Sequence, residues 1–406
     1  MHAGVQALLL EGVPVRSEVI QKALQAIERF TWQDEQGKRL QSCVSPVWDT
    51  VLMIRGLRDA GADGQDQRLR EAVRWVKHRQ QVGPEGDWRV YNPRLTPGGF
   101  SFEYHNTWYP DVDDTAAAIL AMVRQDARNV ESHTVVGAIL WICGMQNKDG
   151  GWGAFDLDND KQWLNKIPFS DMDSLCDPSS ADCTGRILEA FGLVMCIERE
   201  GGQHVNPPVL EAMQTACLRA IQYLAHEQEP TGAWYGRWGV NYIYGTSNVL
   251  CGLGYFDRNN CDEQLCDMRN AAVSWLKQVQ NDDGGWGESL LSYTDPSRYA
   301  GRGTSTPSQT AWALMGLLAT CSPRDPAILA GIDHLLRTQT DSSPDGECAS
   351  WPERLYTGTG FPNFFYIGYT LYRHFFPMMA LGRFVALSEL SLETTTPTSA
   401  PGVTDA

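Results

Sequence analysis

Five segments of the chain share one plan, and this repetition constrains the fold more than any other feature. Each runs from an apolar helix end through Gln into a Gly-rich turn that closes on Trp. The segments are 72–88, 138–152, 220–234, 272–286 and, in degenerate form, 331–351. Their closing tryptophans lie 64, 82, 52 and 65 residues apart, which suits two helices and a variable loop per unit. The repeats therefore predict an array of helical hairpins.

The repeat residues have a structural interpretation. Glycine permits the turn and lets the Trp ring pack against the preceding helix end. The Gln side chain is expected to bond unpaired backbone groups and so tie one helix C-terminus to the next helix. Apolar residues recur at helical period between the repeats, as in 115–123 and 310–318, whereas alternating strand patterns are scarce. Such hairpins either stack as an open solenoid or close into a double ring around a cavity.

Composition excludes several classes of function. The chain has 33 Lys and Arg against 49 Asp and Glu, a net charge of -16, so nucleic acid is not an expected partner. No stretch reaches the roughly 18 to 20 apolar residues of a spanning helix, and residues 1–10 lack the basic start of a signal peptide. The 11 scattered cysteines indicate free thiols in a reducing compartment and no metal site. We expect one domain over 1–387 and a disordered Thr/Pro/Ala-rich tail over 388–406.

Three carboxyl groups stand together at the start of an Ala-rich helix. They belong to Asp111, Asp113 and Asp114, directly after Pro110. A helix cap explains Asp111 and a first-turn acid explains Asp114, but Asp113 is less easily accounted for in this way. Three acids within four residues repel one another, so at least one is expected to stay protonated when buried. A neutral carboxyl beside ionised neighbours can act as a Brønsted acid.

The segment just before these acids is unusually aromatic. Residues 98–109 include two Phe, two Tyr and one Trp. Aromatic faces attract positive charge through their quadrupole and offer no lone pair that would capture a carbocation as readily as water or a carboxylate. An acid next to an aromatic cage therefore indicates carbocation chemistry.

At this point the sequence resembles a known family, the squalene–hopene cyclases and their class II terpene cyclase relatives. The repeats are similar to the family's QW motifs, and residues 111–114 are similar to its DXDD acid motif. Further similar strings are 45–50, 236–242 and 358–374, and the resemblance extends over about residues 1 to 385. It implies an all-α fold, an (α/α)6 double-ring barrel, that works with no cofactor and no metal.

The resemblance also implies roles for individual residues. Asp113 corresponds to the proton donor, with Asp111 and Asp114 as its carboxylate partners. Asp182 and Arg186 match positions that support the acid, and Tyr244 matches a tyrosine that bonds it. Some relatives have His where this chain has Arg186, and a permanently charged guanidinium favours ionised neighbours.

Eight aromatic residues match cavity-lining and cation-stabilising positions of the family. They are Trp48, Phe102, Phe155, Trp238, Phe361, Phe365, Tyr369 and Tyr372. Phe155 stands where some relatives have Tyr, so pocket polarity and product profile are expected to differ.

The implied reaction is protonation of squalene, or a similar polyene, at a terminal double bond, followed by ring closure to a hopene-type pentacyclic triterpene. Two alternatives remain: a class II diterpene or sesquiterpenoid cyclase with a shorter, often diphosphorylated substrate, and a non-catalytic barrel that binds lipid or a partner chain. A prenyltransferase-like barrel would need zinc ligands, and that pattern is not evident.

The family pattern also sets expectations about partners and location. Relatives carry a second helical domain before the stretch equivalent to Met1, and that domain completes the cavity. We therefore expect pairing with such a domain or a homodimer, and little cyclase activity from the chain alone. By the same resemblance the chain is expected in the cytoplasm, with peripheral, monotopic membrane contact.

Overall fold

The computed structural model describes residues 2–35, 37–41, 43–168, 170–201, 203–256, 262–341 and 349–393. Its α-helices are α1 His2–Leu10, α2 Glu18–Arg29, α3 Pro46–Asp59, α4 Gln67–Lys77, α5 Trp88–Tyr91, α6 Val112–Gln125, α7 His133–Gly144, α8 Ala181–Arg199, α9 Pro207–Glu227, α10 Tyr242–Leu253, α11 Glu263–Gln278, α12 Pro296–Tyr299, α13 Pro307–Leu318, α14 Pro326–Thr338 and α15 Tyr372–Glu393. Short 3-10 helices cover Ala127–Glu131, Gln162–Lys166 and Leu290–Tyr293. The strands are β1 Thr31–Asp34, β2 Gly37–Leu40, β3 Phe100–Ser101, β4 Pro110–Asp111, β5 Thr340–Asp341, β6 Ala349–Ser350, β7 Gly358–Phe361 and β8 Phe365–Ile367, paired in sequence as four antiparallel hairpins.

Six of the helices form a closed inner ring. Around it, α3 packs on α6, α6 on α8, α8 on α10, α10 on α13, α13 on α15, and α15 returns to α3. Within the described residues, five outer helices (α4, α7, α9, α11 and α14) each pack on the inner helix that precedes them. The predicted all-α double ring is therefore confirmed. Of the two arrangements that the repeats allowed, the structure has the closed ring and not the open solenoid.

The two rings follow from sequence pattern. From Thr115 to Val123 the inner helix α6 is apolar or small on every face, and its whole stretch from Val112 to Val123 is buried. The outer helix α4 instead buries one stripe, Leu69, Val73 and Val76, at the helical spacing of an amphipathic element. Close contact between inner helices needs small residues: a Cβ on Gly185 of α8 would lie 2.7 Å from the backbone of Asn248 in α10.

The repeats act as the predicted staples. In the fourth repeat, Gln280 Nε2 donates to the carbonyl oxygens of Gly284, at 2.8 Å, and of Ala327 in the next outer helix, at 2.9 Å. The fully buried Trp286 donates its indole N–H to the carbonyl of Leu276 at 2.8 Å. The second and third repeats make the same set of bonds. Each staple thus satisfies carbonyls near one helix end and links consecutive hairpins.

Two expectations differ from the structure. Helix α15 continues through Glu393, past the predicted start of the tail at 388, and 394–406 lie outside the described residues. Cys266 is disulfide-bonded, so the expectation of free thiols throughout is wrong there; Cys261 and Cys348 lie outside the described residues. In the part of the chain that the structure describes, no helix combines the length and the apolar run that crossing a membrane requires.

Candidate active site

The acid segment is held at the N-terminus of α6. Asp111 has an extended backbone and caps the helix, since its Oδ1 accepts the backbone N–H of Asp114 at 2.7 Å. Thr115 donates its hydroxyl to the carbonyl of Asp111 at 2.5 Å and accepts the N–H of Phe100 at 2.9 Å. The β3–β4 pair thereby fixes the entry of the chain into α6, and the predicted cap at Asp111 is confirmed.

Asp113 is ion-paired with Arg186 of α8. Arg186 Nε lies 2.5 Å from Asp113 Oδ1, and its Nη2 donates to the hydroxyl of Tyr244 at 2.6 Å. The guanidinium also lies 5.1 Å from the ring centroid of Trp48. Arg186 is 2% exposed; burial lowers its pKa, but the charges of Asp113, Tyr244 and Glu189 together with the hydrogen bond to Asp113 raise that pKa well above its usual range. Three residues expected to act together, Asp113, Arg186 and Tyr244, therefore do meet in space.

Burial sets the acidity of all three carboxyl groups. Burial raises the pKa of Asp113, and Arg186 opposes that rise. Burial raises the pKa of Asp111 to about 7, although its bonds to Asp114 lower it. Burial, the charge of Asp111 and a side-chain hydrogen bond with Asp111 raise the pKa of Asp114 well above its usual value. Such a cluster retains protons near neutral pH.

The acids form part of the wall of a cavity of about 810 Å³, counting the space at its mouth. Its lining residues are Trp48, Phe102, Glu103, Asn106, Tyr109, Asp111, Asp113, Asp114, Phe155, Trp238, Tyr244, Thr359, Ile367, Tyr369 and Tyr372. Six of the eight predicted cage aromatics are in this set. Trp48 donates its indole N–H to the Tyr372 hydroxyl at 2.9 Å, and the rings of Tyr369 and Tyr372 stack with centroids 4.3 Å apart.

Two carboxylates hold another part of the cavity wall. Asp182 Oδ2 accepts the backbone N–H of Trp238 at 2.7 Å. Asp177 accepts three consecutive backbone N–H groups, including that of Phe155 at 2.6 Å. The Phe155 and Trp238 rings meet edge to face at 5.9 Å. Asp182 was expected to support the acid; its carboxylate accepts the backbone N–H groups of Cys183 and Trp238, and it acts on Asp113 through its charge, which raises the pKa of Asp113.

Phe361 and Phe365 were expected in the cage, and the structure does not place them on the cavity wall. Both lie in the β7–β8 hairpin, whose register is irregular between Thr359 and Phe361. A bulge of this kind redirects side chains, so Thr359 faces the cavity and Phe361 does not. Phe361 lies 5.7 Å from the Arg237 guanidinium, and Phe365 lines a neighbouring hollow with Trp32 and Tyr366.

Sequence reasoning missed several lining residues. Glu103 and Asn106 fall within the aromatic segment 98–109, where only the rings drew notice, and Tyr109 of that segment was not singled out as a cage residue. Thr359 and Ile367 carry no chemical signal in the sequence. The described residues contain no group of three or more His, Cys, Asp or Glu side chains arranged to hold a metal ion.

The fold is that of type II terpene cyclases. Structure comparison matches the type II terpene cyclase MstE from Scytonema with a TM-score of 0.55 and 16% identity, over 89% of this chain and 92% of that chain. A second match, ent-copalyl diphosphate synthase from Streptomyces platensis, has a TM-score of 0.52 and 17% identity over 84% of this chain and 50% of that chain. At such identities these likenesses establish architecture alone.

Sequence comparison identifies the family. The model of the squalene-hopene cyclase C-terminal domain matches residues 44–386, and the chain belongs to that family. It is 54% identical over 380 residues to squalene hopane cyclase afumA of Aspergillus fumigatus, covering 88% of this chain and 51% of that protein. It is 44% identical over 353 residues to squalene–hopene cyclase of Alicyclobacillus acidocaldarius, covering 86% and 52%. The chain thus spans about half the length of these curated relatives.

Proposed function

We propose that this chain is the acid-bearing part of a class II triterpene cyclase that converts squalene to a hopene-type pentacyclic product. The observation that carries the proposal is the cluster of three buried carboxyl groups, Asp111, Asp113 and Asp114, on the wall of an aromatic cavity. Membership of the squalene-hopene cyclase family supports it.

The reaction begins with proton transfer from the carboxyl cluster to the less substituted carbon of a terminal double bond. The alkene π pair forms the new C–H bond, the O–H pair stays on the carboxylate, and a tertiary cation results. Successive double bonds then supply π pairs to close rings along the cavity. The faces of Trp48, Phe155, Trp238 and Tyr369 stabilise the migrating charge without trapping it. Loss of a proton or capture of water ends the sequence.

The cavity favours a hydrocarbon over a diphosphate. Among the described lining residues there is no Lys or Arg, and the only charged groups are carboxyls. A diphosphate placed there would meet like charge in a poorly solvated site. One solved neighbour, an MstE variant, is in complex with geranylgeranyl dihydroxybenzoate. The second candidate is therefore a diterpenoid substrate with an uncharged polyene tail.

The first test is turnover of detergent-dispersed squalene, followed by gas chromatography–mass spectrometry. We expect a low but measurable yield of cyclic triterpene from the chain alone, and none from a variant with all three acids replaced by Asn. The exposed Asp171→Asn change is the matched control and is expected to leave the product yield intact. 2,3-Oxidosqualene is the positive control, because its epoxide opens with a weaker acid. Cyclic product from it would show that a polyene of this length enters the cavity.

A binding test does not depend on turnover. A squalene analogue bearing a tertiary ammonium group imitates the carbocation, and calorimetry compares it with a neutral analogue of equal shape. The ammonium form is expected to bind more tightly, and Trp238→Leu is expected to remove most of that preference. If squalene gives no product and the charged analogue shows no preference, the proposal is wrong and a lipid-binding barrel is the better description.

We also propose pairing with a second helical domain or a second copy, with peripheral membrane contact for substrate delivery. Residues 2–44 expose many large apolar side chains, including Leu10, Val19, Trp32 and Leu40. Exposed apolar surface of this kind favours association. Sedimentation of the chain with and without neutral-lipid vesicles tests self-association and membrane contact: a monomer that does not bind vesicles would contradict both and leave pairing with a separate domain.

A further inference from the structure

A second cavity lies at the end of the inner ring opposite the acid cluster. It forms where α3, α6, α8, α10 and α13 end beside the middle of α15, and its volume is about 1260 Å³, counting the space at its mouth. Helix α6 reaches both cavities, with Asp113 at its start and Arg124 in its last turn. Its 14 residues span about 21 Å, so the two cavities are separate sites.

The buried carboxylates of this second cavity already have cationic partners. Asp59 lies 2.8 Å from Arg383 Nε, and Glu189 lies 3.0 Å from Arg383 Nη2. Glu189 also pairs with Arg55, at 2.9 Å. The other carboxylate on the lining, Glu200, is exposed to solvent. These acids leave no buried carboxylate for the two remaining arginines of the lining.

Those two arginines are Arg58 and Arg124, and neither forms an ion pair within the part of the chain that the structure describes. Arg58 donates from Nε to the carbonyl of Arg124, at 2.9 Å, and from Nη1 to the carbonyl of Ala62. It therefore serves the C-terminal end of α6, where helix carbonyls lack partners. Arg124 has a single side-chain hydrogen bond among the described residues, from Nη2 to the hydroxyl of Tyr255 at 3.0 Å.

A partly buried guanidinium cannot relieve its charge as a carboxyl group can. A buried carboxylate takes up a proton, whereas arginine keeps its proton at any ordinary pH. The unfavourable energy of a desolvated, unpaired cation is removed when an anion joins it. The planar donors of a guanidinium match the oxygens of a carboxylate or a phosphate. The phenol of Tyr255, which accepts from Arg124, still has its own hydrogen to donate to the same anion.

Much of the remaining wall is apolar. It is lined by Leu193 and Ile197 of α8, Met315 and Leu318 of α13, and Leu387 of α15. Apolar walls with a few convergent polar groups are typical of sites for small molecules that are themselves largely apolar. Cationic groups beside such a wall suit a ligand with one charged end and one hydrocarbon end.

We propose that this second cavity binds an amphiphile with an anionic head group and one hydrocarbon chain. The head group is a carboxylate or a phosphate monoester, held by Arg124 and Tyr255 with Arg58 alongside. The hydrocarbon chain packs on the wall formed by α8 and α13. The site goes beyond the proposed function, because it lies at the other end of the ring and its occupancy is measured without squalene turnover.

Calorimetry of the whole chain at pH 7 tests the ligand class. Decanoate and decyl phosphate are the anionic probes, decan-1-ol has the chain without the charge, and acetate has the charge without the chain. We expect one site for the anionic amphiphiles and at least about 10-fold weaker binding of the other two probes. A preference for decanoate or for decyl phosphate identifies the head group. Binding of decan-1-ol or acetate as tightly as decanoate would overturn the proposal.

Variants of Arg124 test the position of the site. Arg124→Gln should weaken decanoate binding by roughly 10- to 100-fold, and Arg124→Lys should weaken it less. Arg70→Gln is the matched control, because it removes the same charge at an exposed position of the outer helix α4, and it should leave the affinity unchanged. Equal affinity of the wild type and Arg124→Gln would contradict the site.

Thermal denaturation separates a lost ligand contact from a damaged fold. Without ligand, Arg124→Gln should have a Tm no lower than that of the wild type, because the change removes a cation that lacks a counter-charge. Decanoate should raise the Tm of the wild type and of Arg70→Gln but not that of Arg124→Gln. A lower Tm for ligand-free Arg124→Gln would mean that the guanidinium already has its counter-charge within the chain, and the proposal would be wrong.

Discussion

Glu189→Gln probes the ion network that holds the inner ring together. Glu189 of α8 accepts Arg55 Nη2 of α3 with both oxygens at 2.9 Å, and Arg383 Nη2 of α15 at 3.0 Å. Arg383 Nε reaches Asp59 of α3 at 2.8 Å. The Glu189 side chain is 4% exposed. Replacing it with Gln would leave the buried Arg55 and the partly buried Arg383 without a full counter-charge, and removal of one partner from such a network costs about 3–5 kcal/mol.

The pKa of Glu189 gives an independent magnitude. Burial alone would raise it, but Arg55 and Arg383 lower it from 4.5 to about 2. At about 1.36 kcal/mol for each pH unit, the difference corresponds to about 3 kcal/mol of folding free energy at pH 7. Because the folded-state pKa is depressed, this contribution is complete above about pH 4.5 and is lost as the pH falls through about 2. The difference between the wild type and Glu189→Gln should therefore shrink to less than half its pH 7 value, roughly 1 kcal/mol, at pH 3.

Urea unfolding followed by circular dichroism at pH 7 and pH 3 measures both values. Glu211→Gln, an exposed change on the outer helix α9, is the matched control and should stay within about 0.5 kcal/mol of the wild type. A loss below about 1 kcal/mol at pH 7 would refute the magnitude. A loss that is equal at both pH values would refute the electrostatic cause.

Three further changes test the staples, the cage and the helix packing. Trp286→Phe removes the indole donor to the backbone of α11 and should cost about 1–3 kcal/mol in chemical unfolding, whereas Trp163→Phe, at an indole that is 63% exposed, should cost much less. Asp177→Asn replaces a carboxylate that binds three N–H groups and should shift the squalene product profile by loosening Phe155; an unchanged profile would count against that role. Gly185→Ala adds a Cβ 2.7 Å from the α10 backbone and should lower the free energy of unfolding by about 1–3 kcal/mol, as measured by thermal denaturation. Unchanged stability would contradict the close packing of α8 on α10.

The architecture was readable from the sequence because its determinants are local. The bond from Trp286 to Leu276 spans ten residues, and the bond from Gln280 to Gly284 spans four. The cap from Asp111 to Asp114 spans three. Interactions of this range leave a fixed spacing in the sequence, so the repeats indicated helical hairpins and the acid motif indicated a helix start.

The electrostatics of the site were not readable in the same way. Asp113 and Arg186 are 73 residues apart, and Arg55 and Glu189 are 134 apart. No local sequence pattern predicts which carboxylate pairs with a guanidinium group that lies so far away along the chain. The bulge that turns Phe361 away from the cavity likewise depends on pairing within the β7–β8 hairpin, and the strand sequence alone would have kept Phe361 beside Thr359.

The distribution of charge inside the barrel explains why a proton is kept at one end only. Elsewhere in the inner ring, Glu189 and Asp59 form ion pairs with Arg55 and Arg383, so each of these carboxylates has a direct guanidinium partner. At the cavity end, the three acids of 111–114 have one directly paired cation, Arg186. Burying an unbalanced carboxylate costs several kcal/mol, and taking up a proton removes that cost. Burial therefore keeps a carboxyl group protonated at the wall of the aromatic cavity. The proton is held next to the aromatic surfaces that would stabilise the cation formed when it is transferred.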